Sequence, residues 1–310
     1  MTTLIYTHTA CFDHQPGPHH PESPERLTAV LHALKTAEFS DLQWRDAPLA
    51  SDEQVLLNHT AEYLAHVRAV SPEHGLRALD AGDTIMSSGT LEAALRGVGA
   101  ACAGVDDVVS GAADNVFCVT RPCGHHAEAD RAMGFCVFNQ AAIAAMYAQR
   151  RHGLARVAVL DFDVHHGNGT QNSFYDDATL FYGSCHQGQF YPGTGARSET
   201  GVAENICNIP FMRGVGSDAF RDAMSRVMLP QLRRFAPDLL IISAGFDAHM
   251  LDPLGGLQFS DDDYHWITQE LMAVADESAS GRVVSVLEGG YSLEGLASAS
   301  AAHVRALMRH

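Results

Sequence analysis

One segment, VAVLDFDVHHGNGT at residues 157–170, constrains the fold of this chain more than any other. Its apolar start is typical of a parallel strand buried on both faces, and the acids, histidines and glycines that follow indicate a polar loop at the carboxyl end of that strand. Such ends are where α/β proteins bind ligands. Because side chains alternate along a strand, Asp161 and Asp163 are expected to share one face, and His165 joins them if the chain stays extended.

These two acids and the histidine indicate a divalent metal site. Two carboxylates at the end of an apolar strand repel each other and lose hydration unless a cation or hydrogen-bonding partners compensate them. A single metal ion accounts for both acids and for the imidazole. The competing interpretation is an ordinary strand end with solvated acids and a histidine that is there by chance.

Alternating strand and helix patterns run through most of the chain and predict an α/β fold with a central, mainly parallel sheet flanked by helices. The predicted strands cover residues 4–6, 115–120, the start of 157–170, 179–184, 205–209, 239–242 and 283–287. The predicted helices begin at Ser23, cover residues 52–59, 61–70, 91–109 and 139–151, begin again at Ser217 with a kink or break at Pro230, and close the chain after Tyr291. Loops are predicted over residues 11–21, a segment too polar and too rich in proline to belong to the core, and over residues 71–88. The acidic run 261–263 is interpreted as the first turn of a helix capped by Ser260 and not as a metal site.

The overall composition argues against several classes of protein. With 46% hydrophobic residues, the chain has no run near the about twenty apolar residues of a membrane span. A formal net charge of −17 argues against nucleic acid as a ligand and favours cationic ligands such as lysine-rich tails or polyamines. Seven cysteines without a CxxC pair indicate neither a disulfide framework nor a structural zinc module. The first residues lack a signal-peptide pattern, which predicts a cytoplasmic location, and no pattern indicates an oligomeric state.

Four predicted strands end in polar or glycine-rich turns, at residues 125–126, at 161–168, at Asp247 and at Tyr291. In a parallel sheet these ends lie on the same side, so we expect one site. If Asp163, His165 and Asp247 are the ligands, the metal has three nitrogen and oxygen donors and one open position, which is typical of catalytic zinc.

The adjacent histidines His125 and His126 fit the proton transfers of a hydrolysis. Water on zinc has a pKa near about 7 and attacks a carbonyl at neutral pH. One histidine would take the proton of that water and the other would protonate the leaving nitrogen, with Asp161 as the partner of one ring and Asn168 as the partner of the other. The alternative is a chance pair of structural histidines. Tyr291, after two glycines, fits a donor to the developing oxyanion and equally fits an ordinary half-buried tyrosine.

Four motifs in order resemble the zinc-dependent histone deacetylase family, and the bacterial deacetylase-like amidohydrolases near its class II branch are the most similar. The motifs are RPCGHHA at 121–127, DFDVHHGNGT at 161–170, AGFDA at 244–248 and EGGY at 288–291, and the similarity begins at 20–27, HPESPERL. The resemblance implies a single catalytic domain over residues 1–310 with the arginase–deacetylase fold and its site at the carboxyl ends of the strands. It also implies zinc ligands, acid–base residues and an oxyanion donor: Asp163, His165 and Asp247 for zinc, His125 and His126 for proton transfer, Tyr291 for the oxyanion. Asn168 is similar to class II, because class I carries aspartate there.

The same resemblance implies further sites. A structural potassium ion is expected near the zinc at the positions of Asp161, Asp163, His165, Ser184 and Cys185. A tunnel for the acyl-lysine stem is expected between Gly134, Phe135 and Tyr191. Leu254 occupies a position where polyamine-specific relatives carry glutamate, which favours acyl-lysine. Cys123 departs from the family pattern, since relatives usually have a second proline there, and it suggests a thiol near the site that is sensitive to oxidation.

The sequence therefore predicts a zinc-dependent amidohydrolase that removes acetyl or other short acyl groups from N-acyl-lysine side chains by attack of metal-activated water. The first alternative is an acetylpolyamine amidohydrolase with the same catalytic residues. Two others are a catalytically silent module that binds acylated ligands and a two-metal ureohydrolase on the same fold. The expected partner is an acylated lysine or a small acylated amine.

Overall fold

The structure is a computed structural model that describes residues 2–309. Its strands are β1 Thr3–Thr7, β2 Gln43–Asp46, β3 Arg77–Ala78, β4 Ile85–Met86, β5 Asn115–Cys118, β6 Val157–Asp161, β7 Leu180–Gln187, β8 Ile206–Phe211, β9 Leu239–Ala244 and β10 Val283–Leu287. Its α-helices are α1 Pro24–Leu34, α2 Asp52–Val55, α3 Ala61–Val70, α4 Thr90–Ser110, α5 Gln140–His152, α6 Asn168–Phe174, α7 Ser217–Ala223, α8 Leu229–Phe235, α9 Asp261–Ser278 and α10 Leu293–Leu307. None of the helices within this described part is long and apolar enough to cross a membrane.

Eight strands form one sheet in the order β2-β1-β5-β10-β9-β6-β7-β8, and all seven neighbouring pairs are parallel. This confirms the predicted α/β fold and its mainly parallel sheet. The sequence pattern does not predict the edge strand β2, because three of its four residues are exposed and it contains no apolar run. It also misses the short antiparallel pair of β3 and β4, which lies within the predicted loop 71–88.

Helices cover both faces of the sheet and bury its central strands. Within β6, Ala158 and Leu160 belong to the core that includes residues of α1, α9 and α10, whereas Val157 and Val159 belong to the core shared with α4 and α5. Burial on two faces is the reason that the central strands are continuously apolar and do not alternate with polar residues. Only the strand ends are left for polar groups.

Several elements differ in detail from the prediction. The helix predicted over 52–59 ends at Val55. The helix that begins at Ser217 continues through Pro230, and a π-helical turn at Met224–Met228 comes directly before α8. Proline has no N–H to offer to the preceding turn, so the widened turn accommodates it without breaking the helix. The acidic run 261–263 forms the first turn of α9, and Ser260 and Asp263 cap this turn in a capping box, as predicted.

The predicted loop 11–21 is partly buried, contrary to its polar composition. His14 is buried, and its Nε2 lies 3.0 Å from Oε2 of Glu22. The Glu22 carboxylate also pairs with Arg26 and Arg121, and all three side chains are buried. A fully paired set of charges removes the cost of burying each one alone. The loop is thereby fixed against the edge of the sheet that carries the site.

Candidate active site

The four predicted site segments follow four strands that are neighbours in the sheet. The loops after β5, β10, β9 and β6 carry, in that order, the histidine pair 125–126, Tyr291, Asp247 and the acids that begin at Asp161. Parallel strands present their carboxyl ends at one edge, so the four segments meet there. The structure brings together residues that are up to 166 positions apart in sequence.

Asp163, His165 and Asp247 form a cluster that could hold a metal ion. Each offers one ligand atom, and these three atoms lie within 4.8 Å of one another. The Nδ1 atom of His165 lies 3.0 Å from Oδ1 of Asp163 and 3.2 Å from Oδ2 of Asp247. Both aspartates are completely buried. Two carboxylates and one imidazole are a donor set that suits zinc.

The negative charge of the Asp247 carboxylate is not fully compensated by its surroundings in this cluster. Burial, together with the nearby charge of Asp163, raises the pKa of the Asp247 carboxyl to about 7. Oδ2 of Asp247 is buried and accepts no hydrogen bond from the described residues, although Nδ1 of His165 lies 3.2 Å away, and unpaired buried oxygens are costly. The other carboxylate oxygen accepts a hydrogen bond of 2.7 Å from the N–H of Val164. The orphaned oxygen is therefore oriented toward the cluster, and a metal ion fits the residues present.

A glycine makes room for the two carboxylates. A Cβ atom at Gly289 would lie 2.1 Å from Oδ2 of Asp247 and 2.6 Å from Oδ2 of Asp163. The N–H of Gly289 instead donates a hydrogen bond of 2.8 Å to Asp163. Any larger residue at position 289 would displace the acids, so the glycine before Gly290 is a requirement of the site geometry.

The two adjacent histidines have different partners. Nδ1 of His125 lies 2.9 Å from Oδ2 of Asp161, and Nδ1 of His126 lies 2.8 Å from Oδ1 of Asn168. The Nδ2 group of Asn168 donates to the carboxylate of Glu128 at 2.8 Å, which fixes the amide oxygen toward His126. An amide oxygen only accepts, so His126 carries its proton on Nδ1 and keeps Nε2 free to accept one.

The charges around the two rings separate them further. Burial alone would lower the pKa of His125, but the negative charges of Asp161 and Asp163 outweigh it and raise that pKa well above the ordinary value. Burial lowers the pKa of His126 well below the ordinary value, and the positive charge of His125 adds to the effect. The ring centroids are 4.0 Å apart. The pair therefore offers one cationic and one neutral imidazole side by side.

A cavity of about 250 Å³ opens above this cluster. Its lining includes every residue predicted to contact substrate, and also Asp83 and Phe190, which the sequence does not single out. The full lining is Asp83, His126, Gly134, Phe135, His165, Phe190, Tyr191, Leu254 and Tyr291. Gly134 has a φ of +54°, and a Cβ atom there would lie 2.5 Å from Cδ2 of His126. Phe190, missed in the sequence, stacks on His165 with centroids 5.2 Å apart. A lone loop aromatic carries no signal of such a contact.

Tyr291 lies at the cavity with its backbone held firmly. Its N–H donates a hydrogen bond of 2.6 Å to Oδ2 of Asp252. The guanidinium of Arg26 lies 5.0 Å from the centroid of the tyrosine ring. Burial and the nearby Cys123 thiol raise the pKa of the Tyr291 hydroxyl well above the ordinary value, so it stays a hydrogen-bond donor at neutral pH.

Glu288 and Asp252 support the site without having been predicted to do so. Oε2 of Glu288 accepts hydrogen bonds from the N–H groups of Gly124 at 2.7 Å and His125 at 3.2 Å, and thus fixes the start of the histidine pair. Oδ1 of Asp252 holds the loop of Leu254 by accepting its N–H at 2.9 Å. A buried acid directly after an apolar strand is the signal that could have identified Glu288.

The residues that the resemblance assigns to potassium also lie together. Asp161 and Ser184 are register partners on β6 and β7, and Cys185 follows on the buried part of β7. Asp163 and His165 continue from the end of β6. The structure places this set beside the metal cluster, and its role as a cation site stays a prediction.

The fold and the site have counterparts in known proteins. A family model described as the histone deacetylase domain matches residues 20–307. The chain is 38% identical to histone deacetylase 14, chloroplastic, of Arabidopsis thaliana, with 98% of this chain and 76% of that protein covered. It is 40% identical to a histone deacetylase-like amidohydrolase of Pseudomonas aeruginosa, with 94% and 82% covered. A crystal structure of the HDA15 HD domain superposes with a TM-score of 0.94 at 34% identity and covers 99% of this chain and 90% of that one.

Proposed function

The chain belongs to the histone deacetylase family, and we propose that it is a zinc-dependent amidohydrolase that removes acetyl or other short acyl groups from N-acyl-lysine side chains. The observation that supports this most is the position of the Asp163, His165 and Asp247 cluster at the base of a narrow cavity that His126 and Tyr291 also line. A metal centre, a proton acceptor and a hydroxyl donor then face one substrate position.

Zinc would be held by Asp163, His165 and Asp247. When bound, zinc supplies a Lewis acid for the substrate carbonyl and lowers the pKa of its water to about 7. The residues themselves contribute orientation. The backbone N–H groups of Val164 and Gly289 hold the two carboxylates in place, so the ligand geometry exists before a metal arrives.

His126 is the proposed general base. It lines the cavity, and its Nδ1 bond to Asn168 leaves Nε2 free to take a proton from the attacking water. His125 does not line the cavity, but it lies against His126 and is held as an imidazolium by Asp161. We assign to His125 the role of general acid, which supplies the proton that the leaving nitrogen requires. A neutral and a cationic ring in contact permit both transfers.

Tyr291 is the proposed donor to the oxyanion that develops on the substrate carbonyl. Phe135 and Tyr191 line the cavity together with Gly134, which packs against both His126 and Tyr191. Aromatic faces of this kind pack well on the four methylenes of a lysine stem. A structural potassium ion beside the zinc is part of the proposal and is supported by the family resemblance alone. The cytoplasmic location also stays a prediction, since one relative is named chloroplastic.

Replacement of Tyr291 by phenylalanine tests the oxyanion assignment. We expect kcat on an acetyl-lysine peptide to fall by about 10²–10³, because one preorganised donor is lost from the transition state. Zinc content, measured by atomic emission on the same preparation, should not change. A matched Tyr175→Phe variant, at a site remote from the cavity lining, should retain full activity. An unchanged kcat for Tyr291→Phe would remove the tyrosine from the mechanism.

An acetylpolyamine amidohydrolase is the second candidate, and one observation favours it. Asp83 lines the same cavity as Leu254, and a carboxylate there would attract a secondary ammonium group of a polyamine. Comparing kcat/KM for an acetyl-lysine peptide and for acetylated spermidine distinguishes the two. A tenfold preference for the polyamine would reverse the assignment. Metal content separates both from a two-metal ureohydrolase, because they require one zinc per chain.

A further inference from the structure

Two cysteine thiols lie in contact behind the part of the cavity lining formed by Gly134 and Phe135, which we call the wall. The Sγ atoms of Cys123 and Cys136 are 3.3 Å apart, and both residues are buried. Cys123 precedes the histidine pair by two residues, whereas Cys136 directly follows Gly134 and Phe135. The two thiols therefore connect the loop of the acid–base residues to the aromatic wall.

Both thiols are separated from the cavity by a single residue. Cys123 and Cys136 contact the carbonyl oxygen of Gly134, with Sγ to oxygen distances of 3.9 Å and 3.4 Å. Gly134 itself lines the cavity. A solute as small as a peroxide that enters the cavity is thus one residue away from the sulfur atoms.

Metal binding is a weaker interpretation of the same cluster. Cys123, Cys136 and Glu288 together offer three ligand atoms. However, the carboxylate of Glu288 already accepts hydrogen bonds from two backbone N–H groups and from Oγ of Ser243 at 3.1 Å. A metal ion would have to displace these bonds and detach the loop of the histidine pair. The contact between the two sulfur atoms requires no such change.

We propose that Cys123 and Cys136 are a site of reversible oxidation, and that their disulfide inactivates the candidate active site. In the first step the sulfur of Cys123 attacks hydrogen peroxide, the O–O bond breaks, one water leaves with the thiol proton and a sulfenic acid forms. In the second step the sulfur of Cys136 attacks Cys123, the S–O bond breaks, and a second water leaves as the S–S bond forms. The peroxide is reduced to two waters, and each sulfur gives up one electron in the net reaction.

Closing the disulfide must move the loops. The sulfur atoms have to approach from 3.3 Å to about 2.05 Å. This displacement of more than about 1 Å moves either the backbone next to His125 or the wall. The wall has little freedom, because Gly134 packs so tightly on His126 that even a Cβ atom would lie 2.5 Å from the ring. A misplacement of about 1 Å at a catalytic group lowers rates by as much as about 10²-fold.

Peptide mapping after mild peroxide treatment tests the modification directly. Trypsin places Cys123 and Cys136 on separate peptides, residues 97–131 and 132–150, since the Arg121–Pro122 bond resists cleavage. We expect a disulfide that links these peptides in the folded wild-type protein, alkylated before digestion. If seven free thiols remain under these conditions, the proposal is wrong. This readout does not depend on any enzymatic activity, so it stands even if the proposed function fails.

Three alanine variants assign the cross-link. Cys136→Ala and Cys123→Ala should each abolish it, whereas the matched control Cys102→Ala, a buried cysteine of α4 on the same peptide as Cys123, should retain it. Persistence of the cross-link in Cys123→Ala would contradict the assignment. In the activity assay we expect peroxide to lower wild-type turnover at least tenfold, dithiothreitol to restore it, and Cys136→Ala to change less than twofold. A wild-type protein that is fully cross-linked and still active would overturn the inactivation.

Discussion

The floor and the rim of the cavity are built in different ways. The floor is the group of side chains at and behind the inner end of the cavity: Asp163, His165, Asp247 and the histidine pair 125–126. These side chains are buried or nearly so and are fixed by hydrogen bonds to backbone or to neighbouring side chains. The rim consists of partly or fully exposed loop residues: Asp83, Phe135, Tyr191 and Leu254.

Exposure shows the contrast most simply. The two aspartates of the floor are 0% exposed, whereas Tyr191 is 39% and Leu254 is 38% exposed. Preorganised groups act on the charges of a reaction, because they cost no reorganisation when the transition state forms. Exposed aromatic and aliphatic groups select among substrates by the shape and charge of the part that enters the cavity. The floor is therefore expected to determine the reaction and the rim to determine the substrate, and the following variants test that division.

The largest effect is expected from His126→Ala on the floor. Loss of the general base should lower kcat on an acetyl-lysine peptide by about 10²–10⁴, because the only other histidine in the described cavity lining is the proposed zinc ligand His165. Zinc content should stay at one per chain, since His126 is not a ligand in this account. The exposed His74→Ala serves as the matched control. A His126→Ala enzyme with normal kcat would show that the floor does not carry the acid–base chemistry.

A smaller effect is expected from Asn168→Asp. A carboxylate in place of the amide oxygen, 2.8 Å from Nδ1 of His126, favours the imidazolium and raises the pKa of that ring. The neutral base is then present only at higher pH, so the acid limb of the kcat/KM profile should move upward by about one pH unit, with about tenfold lower activity on that limb. The profile recorded from pH 5 to 9 checks this. An acid limb that does not move would mean that another group titrates there.

The smallest effect is expected at the rim, from Leu254→Glu. A new carboxylate in the cavity that Asp83 also lines should raise kcat/KM for acetylated spermidine relative to an acetyl-lysine peptide by about 1.5- to fivefold, since a partly exposed ion pair contributes only about 0.2–1 kcal/mol. Leu254→Gln, similar in size and uncharged, is the control. Loss of turnover on both substrates alike would place Leu254 on the floor side of the division.

The floor was more accessible to sequence analysis than the rim, for physical reasons. The central strands are covered on both faces, so their apolar runs and the acids at their ends are visible in the sequence, as with residues 157–163. The pairing of His125 with Asp161 and of His126 with Asn168 required the structure, because either histidine could have taken either partner. The contact of Cys123 with Cys136 and the stacking of Phe190 arise from loop packing, which leaves no periodic pattern.

The same limit explains the errors in the fold. The exposed edge strand β2 gains its hydrogen bonds from β1 and needs no apolar run of its own. His14, in a segment that composition assigns to the surface, is buried because it meets the carboxylate of Glu22. Tertiary contacts decided both outcomes, with β1 for the strand and with the carboxylate that Arg26 and Arg121 also hold for the histidine.

Metal removal and replacement tests the central claim most directly. The purified protein is treated with a chelator, its metal content and its turnover of an acetyl-lysine peptide are measured, and zinc is added back in steps. We expect turnover to be lost with the metal and to return fully at one equivalent of zinc, and we expect Asp247→Ala neither to bind nor to respond to zinc at that level. Undiminished turnover by the metal-free protein, or a requirement for two metal ions per chain, would contradict a one-zinc site on Asp163, His165 and Asp247.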